Sequence, residues 1–388
     1  MNTKKYKKRN KKLNRTKKKA LSKIHNKFES ANIKILKLQE KNDVVTIKLT
    51  KNKELWKSKI SKKRKKYENW FYFKLTNCKN KICYFDFVDM NFYDTSFIGF
   101  NVCYSYDNKT WLRTSTKIKK NRFQWKFTPK HNKVWFAYYP PYTNKMNNTL
   151  VNKLRKKPSV KHIVLGKTPL KNRLHMLQFG KGDKNIFIVA RQHPGETIGS
   201  WMMEGFLNTF FSTKMKEQRN KLLKMFTFRI VPIANPDGVE MGNWYTQSQG
   251  YNLNREWQMV TNKENKLMMD KTGYNNFGSL YLDLHGDEGS KRHFITQCSP
   301  NNKIYKLFNK TINKIHPHFQ LKDFYKKTGH TSGNHFGEWG TYDCKWQNAM
   351  TIEGQMKHPI LKHKTLQDEP LKIGESIFKT IFKIRNYL

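Results

Sequence analysis

Three His and Glu pairs in this chain have the spacing His-x-x-Glu, which can direct an imidazole and a carboxylate at one zinc ion. They are His193 with Glu196, His285 with Glu288, and His335 with Glu338. The motif alone is weak, because such a histidine is as often a hydrogen-bonded structural residue. The first pair is favoured, because an apolar run that predicts a buried strand precedes it and apolar residues at helical spacing follow it. Turns of this kind carry functional side chains in α/β sheets.

His285 is the best candidate for a third ligand, since a catalytic zinc usually takes three protein ligands and keeps one position for water. It follows residues 280–284, an apolar run that predicts a neighbouring strand. Three acidic residues near it are candidates to accept the other imidazole N–H, namely Asp283, Asp287 and Glu288. For each of them a helix-capping or solvated role is the open alternative.

Glu353 is the candidate general base. It ends a run, residues 349–352, that predicts a further strand, and a glycine follows it. A carboxylate beside zinc-bound water can take its proton and later give it to a leaving amine, which is the chemistry of peptide hydrolysis. Without the other residues, an exposed glutamate at a strand end is the alternative interpretation.

The order of these motifs resembles that in the zinc metallocarboxypeptidases, specifically the cytosolic carboxypeptidase branch with its bacterial relatives. The strings that carry the resemblance are VARQHPGET, NPDGV, LNREW and DLHGDE. Residues 235–238, NPDG, are also predicted to form the turn that closes the strand before them. Segments nearer the N-terminus also resemble the β-domain that precedes the catalytic domain in that branch, and they are residues 28–32, 70–73, 103–111 and 136–139. The resemblance covers residues 24–388.

The resemblance implies a hydrolase that removes residues from peptide C-termini with one zinc ion. It assigns the zinc to His193, Glu196 and His285, and the general base to Glu353. It also implies the carboxypeptidase-like fold, a mixed and mostly parallel sheet flanked by helices.

The substrate side of the site would include Asn254 and Arg255, which the resemblance assigns to the terminal carboxylate of the peptide. An amide and a guanidinium fork match the two oxygens of a carboxylate, and this contact distinguishes an exopeptidase from an endopeptidase. Without the family, Arg255 is interpreted as a surface ion-pairing residue. Tyr342 is a weak candidate for the tyrosine that closes over bound substrate in this family.

One position departs from the family. Tyr245 stands where these enzymes have an arginine that polarises the scissile carbonyl. A phenol donates a hydrogen bond but carries no charge, and loss of one such donor typically costs about 10²–10³ in turnover. Candidate replacements for the missing cation are Arg191, Lys291 and Arg292. The alternative function is therefore a catalytically weak or inactive protein of this fold that binds acidic tails or nucleic acid.

The hydrophobic patterns predict two domains behind a basic tail. Residues 1–23 hold 12 Lys or Arg and no acidic residue, and we expect them to be disordered. Residues 24–145 contain short aromatic and β-branched runs, which are typical of an all-β sandwich. Residues 146–388 are predicted to form the α/β catalytic domain.

The formal net charge of +49 is extreme for 388 residues. Such a field attracts polyanions, which include nucleic acid, anionic membrane surfaces and acidic peptide tails. The resemblance favours acidic tails, such as the glutamate-rich C-termini of tubulin, and the basic tail adds nucleic acid as a second partner. The alternative is solvated charge, because an AT-rich genome raises the lysine content without any selected partner.

The sequence contains no signal peptide and no run of about 18 apolar residues that would span a membrane. Its five cysteines are scattered, so they are interpreted as reduced thiols. We expect a cytoplasmic protein, with a nuclear location as the alternative because of the lysine-rich tail.

Overall fold

The computed structural model describes residues 20–57, 68–91, 97–257, 261–272, 278–297, 302–321, 348–357 and 364–388. Three predictions fall outside these residues: most of the basic tail, the His335 and Glu338 pair, and Tyr342. Among the helices of the described ranges, none has both the length and the apolar character that a membrane crossing requires.

The N-terminal part consists of two five-stranded sheets. Their strands, in chain order, are β1 (Lys23–His25), β2 (Lys34–Lys41), β3 (Val44–Thr50), β4 (Tyr72–Thr76), β5 (Ile82–Phe87), β6 (Val102–Ser105), β7 (Leu112–Thr114), β8 (Lys117–Lys119), β9 (Arg122–Phe127) and β10 (Lys133–Ala137). One sheet has the order β1-β4-β10-β6-β7 and the other β2-β3-β5-β9-β8.

Aromatic side chains fill the space between these two sheets. Phe85 of β5 stacks on Trp125 of β9 at 4.5 Å between ring centroids, and it contacts Phe136 of β10 in the other sheet at 4.9 Å. Inward residues alternate with more exposed ones along β5 and β9, as expected for a sheet with one covered face. The prediction of an all-β sandwich at the N-terminus is confirmed.

The second part is built on a seven-stranded sheet with the order β11-β12-β14-β13-β15-β17-β16. Its strands are β11 (Val160–Lys167), β12 (Arg173–Phe179), β13 (Lys184–Ala190), β14 (Phe226–Val231), β15 (Gly278–Asp287), β16 (Phe294–Gln297) and β17 (Ala349–Gln355). The four central strands β14, β13, β15 and β17 are parallel, and the outer pairs are antiparallel. The prediction of a mixed, mostly parallel sheet is confirmed.

Helices cover both faces of this sheet. They are α1 (Asn144–Leu154), α2 (Ile198–Phe210), α3 (Lys216–Met225), α4 (Pro236–Met241), α5 (Lys263–Thr272), α6 (Asn302–Ile315) and α7 (Asp368–Ile384). Along β13, Ile186 and Ile188 join the apolar core that includes α2 and α7, whereas Phe187 and Val189 join the core that includes α5. This two-sided burial explains why β13 is a continuous apolar run.

Three local structures differ from the sequence predictions. β15 and β17 each continue past the predicted strand end, so His285 and Glu353 lie inside their strands. The backbone pairing of the two strands continues to Asp287 and Gln355. The predicted NPDG turn is instead the start of α4, where the side chain of Asn235 accepts the amide N–H of Gly238 at 2.9 Å.

Candidate active site

The turn between β13 and α2 carries His193 and Glu196. Its first residue, Arg191, has a φ of 65°, in the left-handed region that non-glycine residues rarely adopt. The buried Arg191 guanidinium stabilises this turn, because it donates to the carbonyl oxygens of Pro194 at 2.8 Å and Tyr142 at 3.0 Å. The sharp turn holds both candidate ligands at the carboxyl end of a central strand.

His285 and Glu353 are direct neighbours on the parallel strands β15 and β17. Residues paired in register on parallel strands direct their side chains to the same face of the sheet. The sheet therefore delivers a candidate ligand and the candidate base side by side, next to the turn after β13.

The Glu196 carboxylate lies between two imidazoles. Its Oε1 is 2.8 Å from Nδ1 of His193, and its Oε2 is 2.8 Å from Nδ1 of His285. The amide N–H of Gly286 also donates to Oε2 at 3.0 Å, which orients the carboxylate. All three side chains are buried, and their ligand atoms lie within 4.8 Å of one another. The fold thus brings together the three residues that the sequence assigned to zinc.

The outer nitrogens of both imidazoles have oxygen acceptors. Nε2 of His193 lies 3.1 Å from Oδ1 of Asn252, an oxygen that also accepts the amide N–H of Asn254. Nε2 of His285 lies 2.8 Å from a carboxylate oxygen of Asp283. With an oxygen acceptor at each Nε2, the Nδ1 atoms that face Glu196 are the nitrogens available to a cation, which would replace any proton between them and the carboxylate.

This donor set fits a zinc ion. Two imidazole nitrogens and a carboxylate converge on one point, where either shared protons or a cation must lie between them. Imidazoles that donate their other N–H to a carboxylate or a carbonyl are the usual partners of protein-bound zinc. Two histidines and one glutamate are also a known ligand set of catalytic zinc in peptidases.

The electrostatics of the cluster suit a divalent cation. Burial raises the pKa of Glu196, but the imidazoles of His193 and His285 lower it more, so the net shift is downward. Burial lowers the pKa of His285, whereas Asp283 and Glu196 raise it, and the result lies well above the usual value. Both shifts show that the group of side chains stabilises positive charge at its centre.

The structure decides between the acidic residues near His285. Asp283 accepts its imidazole N–H, whereas a carboxylate oxygen of Asp287 accepts the amide N–H of Gly289 at 2.8 Å and that of Ser290. Asp287 therefore caps the turn after β15. His285 pairs with Glu196 rather than with Glu288, so the second His-x-x-Glu match is not a ligand pair.

Glu353 has the electrostatic surroundings of an acid–base group. Burial raises the pKa of its carboxyl, the carboxylates of Glu196, Asp287 and Asp283 add to this, and only His285 opposes it. The net pKa lies well above the usual range for glutamate. A carboxyl group with a raised pKa can both take and return a proton near neutral pH.

Asn254 and Arg255 lie beside the candidate metal ligands in a single 3-10 turn, Leu253–Arg255. Nδ2 of Asn254 is 3.3 Å from Nε2 of His285. Burial is the main cause that lowers the pKa of His193; Glu196 opposes this shift, and the charges of His285 and Arg255 add to it. Arg255 also donates to the backbone oxygen of Asn254 at 2.7 Å, so its guanidinium is held against the backbone of this turn.

Tyr245 also lies next to the candidate metal ligands. It is 3% exposed, and its ring contacts the His193 ring edge to face at 5.0 Å between centroids. Of the candidate replacement cations, Arg191 is engaged in stabilising the turn after β13, whereas Lys291 and Arg292 are exposed.

Two residues of this network were missed by the sequence analysis. Asn252 accepts from His193, and Gln192 donates to Asp283 at 2.6 Å while accepting the indole N–H of Trp257 at 2.6 Å. Gln192 therefore orients the carboxylate that orients His285. The available signal was position, since Gln192 directly precedes His193 and Asn252 directly precedes the LNREW string that contains Arg255.

A second cluster of the same composition lies nearby and consists of His293, His316 and Glu369, with ligand atoms within 4.8 Å. Nε2 of His293 is 2.9 Å from Oε1 of Glu369, and its Nδ1 accepts the amide N–H of Gln355 at 3.1 Å. This amide fixes the imidazole proton on Nε2, where it is donated to Glu369. His293 therefore has no lone pair directed at the centre of the cluster.

Comparison with known proteins agrees with this geometry. Residues 146–368 match the zinc carboxypeptidase family, and residues 24–139 match the cytosolic carboxypeptidase N-terminal domain. An uncharacterized protein of Zymomonas mobilis is 30% identical over 269 residues, which are 65% of this chain and 69% of that protein. Cytosolic carboxypeptidase 1 of Xenopus laevis is 24% identical over 373 residues, 77% of this chain, but the chain spans only 29% of its length.

A solved structure has the same fold. The metallo-carboxypeptidase from Burkholderia cenocepacia superposes with a TM-score of 0.82 at 22% identity, and the match covers 95% of this chain and all of that one. Membership in the family implies zinc, and the three buried ligands provide a place for it. This chain belongs to the zinc carboxypeptidase family, a family of peptide hydrolases, and within it to the branch that carries the cytosolic carboxypeptidase N-terminal domain.

Proposed function

We propose that this protein hydrolyses C-terminal residues from peptides or protein tails with one zinc ion held by His193, Glu196 and His285. The observation that carries the proposal is the convergence of Nδ1 of His193 and Nδ1 of His285 on Glu196, with an oxygen acceptor at each Nε2, beside the candidate base Glu353. A single zinc is proposed because the tautomer of His293 leaves the second cluster without a comparable set of donors.

In this proposal the side chains divide the work of peptide hydrolysis. When bound, zinc supplies an acidified water and a Lewis acid for the scissile carbonyl. Glu353 takes the proton of the attacking water, and its raised pKa allows it to keep that proton until the leaving amine accepts it. Asp283 and Asn252 hold the imidazoles in the required tautomer.

Asn254 and Arg255 are proposed to bind the terminal carboxylate of the substrate. Both are buried next to the ligands, and a guanidinium with an amide can satisfy both oxygens of a carboxylate. A fixed anchor for the chain terminus would place the last peptide bond at the zinc, which makes the enzyme an exopeptidase.

Tyr245 supports a second candidate function. Its phenol can donate to the oxyanion, but it lacks the charge of the arginine that relatives of this family have there. A slow enzyme or an inactive protein that binds acidic tails or nucleic acid is therefore the alternative. Peptide shortening distinguishes the two, because binding without cleavage is the expected behaviour of the second.

Acidic tails, such as glutamate-rich C-termini of the tubulin type, are the proposed substrates. The formal charge of +49 supports this choice, because it concentrates acidic peptides around the protein. A cytoplasmic location is proposed as well, on the strength of the cytosolic relatives. If charge selects the substrate, KM for an acidic peptide should rise with salt more steeply than KM for a neutral one.

The decisive experiment incubates the purified protein with glutamate-rich and neutral peptides and identifies the products by mass spectrometry. We expect loss of single C-terminal residues, abolished by a chelator. Glu353→Gln should reduce kcat by about 10²–10⁴, because the variant has no base for the water proton.

The matched control is Glu375→Gln, which changes an exposed glutamate on α7 and should leave kcat unchanged. The zinc content of both variants is measured, so that a lost base is distinguished from a lost metal. Intact peptides under every condition, with zinc bound, would contradict hydrolysis and favour the binding protein.

A further inference from the structure

The segment that carries Tyr245 is docked on the β-domain. The hydroxyl of Ser30 donates to the carbonyl of Val239 at 2.6 Å, and the side-chain amide of Asn32 donates to the carbonyl of Gly242 at 2.7 Å. Farther along, the carbonyl of Gly250 accepts the amide N–H of Lys57 at 2.8 Å. The β-domain therefore touches this segment on both sides of Tyr245.

Between these contacts, Glu54 of the β-domain binds the backbone of three successive residues. Its carboxylate accepts the amide N–H groups of Trp244, of Tyr245 at 3.1 Å and of Thr246 at 2.9 Å. The hydroxyl of Thr246 adds a fourth donor at 2.9 Å. Glu54 is 6% exposed, so these donors have little access to water as a substitute. Consecutive N–H groups that converge on one carboxylate form an anion-binding nest.

The same segment contacts the metal ligands. The carbonyl of Trp244 accepts the amide N–H of Gly195, which lies between His193 and Glu196, at 3.0 Å. A Cβ on Gly195 would lie 2.3 Å from the Trp244 ring, so the two segments are in close contact. The ring of Tyr245 contacts that of His193, and on the β-domain side it contacts Trp56 at 5.9 Å between centroids.

We propose that Glu54 is a positioning residue for catalysis, which holds Tyr245 against the zinc site from the β-domain. The expected effect of Glu54 on turnover rests on the proposed function. Its expected effect on the loop of residues 244–246 rests on geometry alone. The β-domain thereby contributes to the active site through one carboxylate, without itself touching the substrate. Glu54 lies in none of the sequence motifs named above and is not one of the candidate zinc ligands.

A second glutamate holds Glu54 in place. Glu68 accepts the amide N–H of Glu54 at 3.3 Å and the indole N–H of Trp56 at 2.5 Å. Burial and the nearby Glu68 raise the pKa of Glu54 to about 7, while the loop amides oppose this. Measurements are therefore best made near pH 8, where Glu54 is the carboxylate that the amides require.

The direct test is hydrogen exchange of the loop amides. In the full-length zinc-loaded protein with Glu54→Ala, we expect exchange of a peptide that contains Trp244, Tyr245 and Thr246 to accelerate about tenfold or more, since its acceptor is gone. Glu54→Gln keeps the shape of the side chain and should give an intermediate rate. The matched control is Glu40→Gln, a carboxylate of the same domain that accepts the amide N–H of Ser22 at 2.7 Å.

Turnover provides the second test. If Tyr245 is the oxyanion donor, Tyr245→Phe and Glu54→Ala should each lower kcat more than they raise KM, and the double variant should be no slower than Tyr245→Phe alone. Unchanged exchange in both Glu54 variants would overturn the proposal, and so would additive losses in the double variant. A wild-type protein without turnover would contradict the proposed function, whereas the exchange result would still decide the role of Glu54.

Discussion

Two buried clusters in this protein consist of two histidines and one glutamate, and they differ in what the outer imidazole nitrogens bind. In the first cluster, Asn252 and Asp283 lie at the outer nitrogens of His193 and His285 as acceptors, so the inner nitrogens are the ones left for a cation. In the second, the amide of Gln355 donates to His293, so the inner nitrogen keeps the proton. Composition and proximity alone therefore do not define a metal site, because the outer hydrogen bond decides whether an imidazole can be a ligand.

The two clusters are also joined through one strand. Glu353 and Gln355 both belong to β17. Phe294, which follows His293 in the chain, lies on β16 and pairs with Glu353. The bond from Gln355 to His293, with the bond from His293 to Glu369, ties the end of β17 to the start of α7. We interpret the second cluster as support for the strand that carries the base.

The largest expected difference between the clusters is in zinc content. His285→Ala removes a ligand and should lower bound zinc from about one per chain to below about 0.1 after dialysis, with loss of peptide cleavage. His316→Ala, the matched change in the second cluster, should keep both zinc and cleavage. Elemental analysis of the two purified variants measures this directly. Equal zinc loss in both, or two zinc ions in the wild-type protein, would break the comparison.

A smaller effect is expected at the outer hydrogen bond itself. Asp283→Asn keeps the size of the side chain but weakens the acceptor for His285, and zinc should bind about 10–100-fold more weakly. Competition with a fluorescent chelator gives the dissociation constants. The control is Asp86→Asn, which alters a carboxylate of the β-domain paired with Arg122 and should leave zinc affinity unchanged. Unaltered affinity in Asp283→Asn would refute the role given to the outer bond.

The ligands could be predicted from sequence because each is attached to a strong local pattern. His193, His285 and Glu353 each follow an apolar run, and the carboxyl ends of neighbouring parallel strands meet at one edge of a sheet. The order of motifs then identified the family and the fold. Tyr245 was located by its spacing from flanking motifs, and its ring does contact His193.

The hydrogen-bond partners could not be predicted in the same way. Asp283 and Asp287 are both two residues from His285 on β15, so strand periodicity gives them the same face. Only the turn after β15, which Asp287 caps, makes Asp283 the partner of the imidazole. No local sequence pattern could predict the role of Glu54, because its contact with Trp244 spans 190 residues and depends on how two domains dock.

The smallest predicted effect concerns acid stability at the second cluster. Burial lowers the pKa of His316 to about 4, from an ordinary value of about 6.5. As pH falls below 6.5 the unfolded chain gains a proton on this imidazole that the folded protein does not, so stability is lost progressively until about pH 4. The His316→Gln variant lacks this titration. Between pH 7.5 and 5, the free energy of unfolding of the variant should therefore fall by roughly 1–2 kcal/mol less than that of the wild-type protein. Urea unfolding of the zinc-free proteins at both pH values measures the difference. The same decrease in both proteins would mean that the pKa of His316 is close to its ordinary value in the folded state, which would contradict the effect assigned to burial.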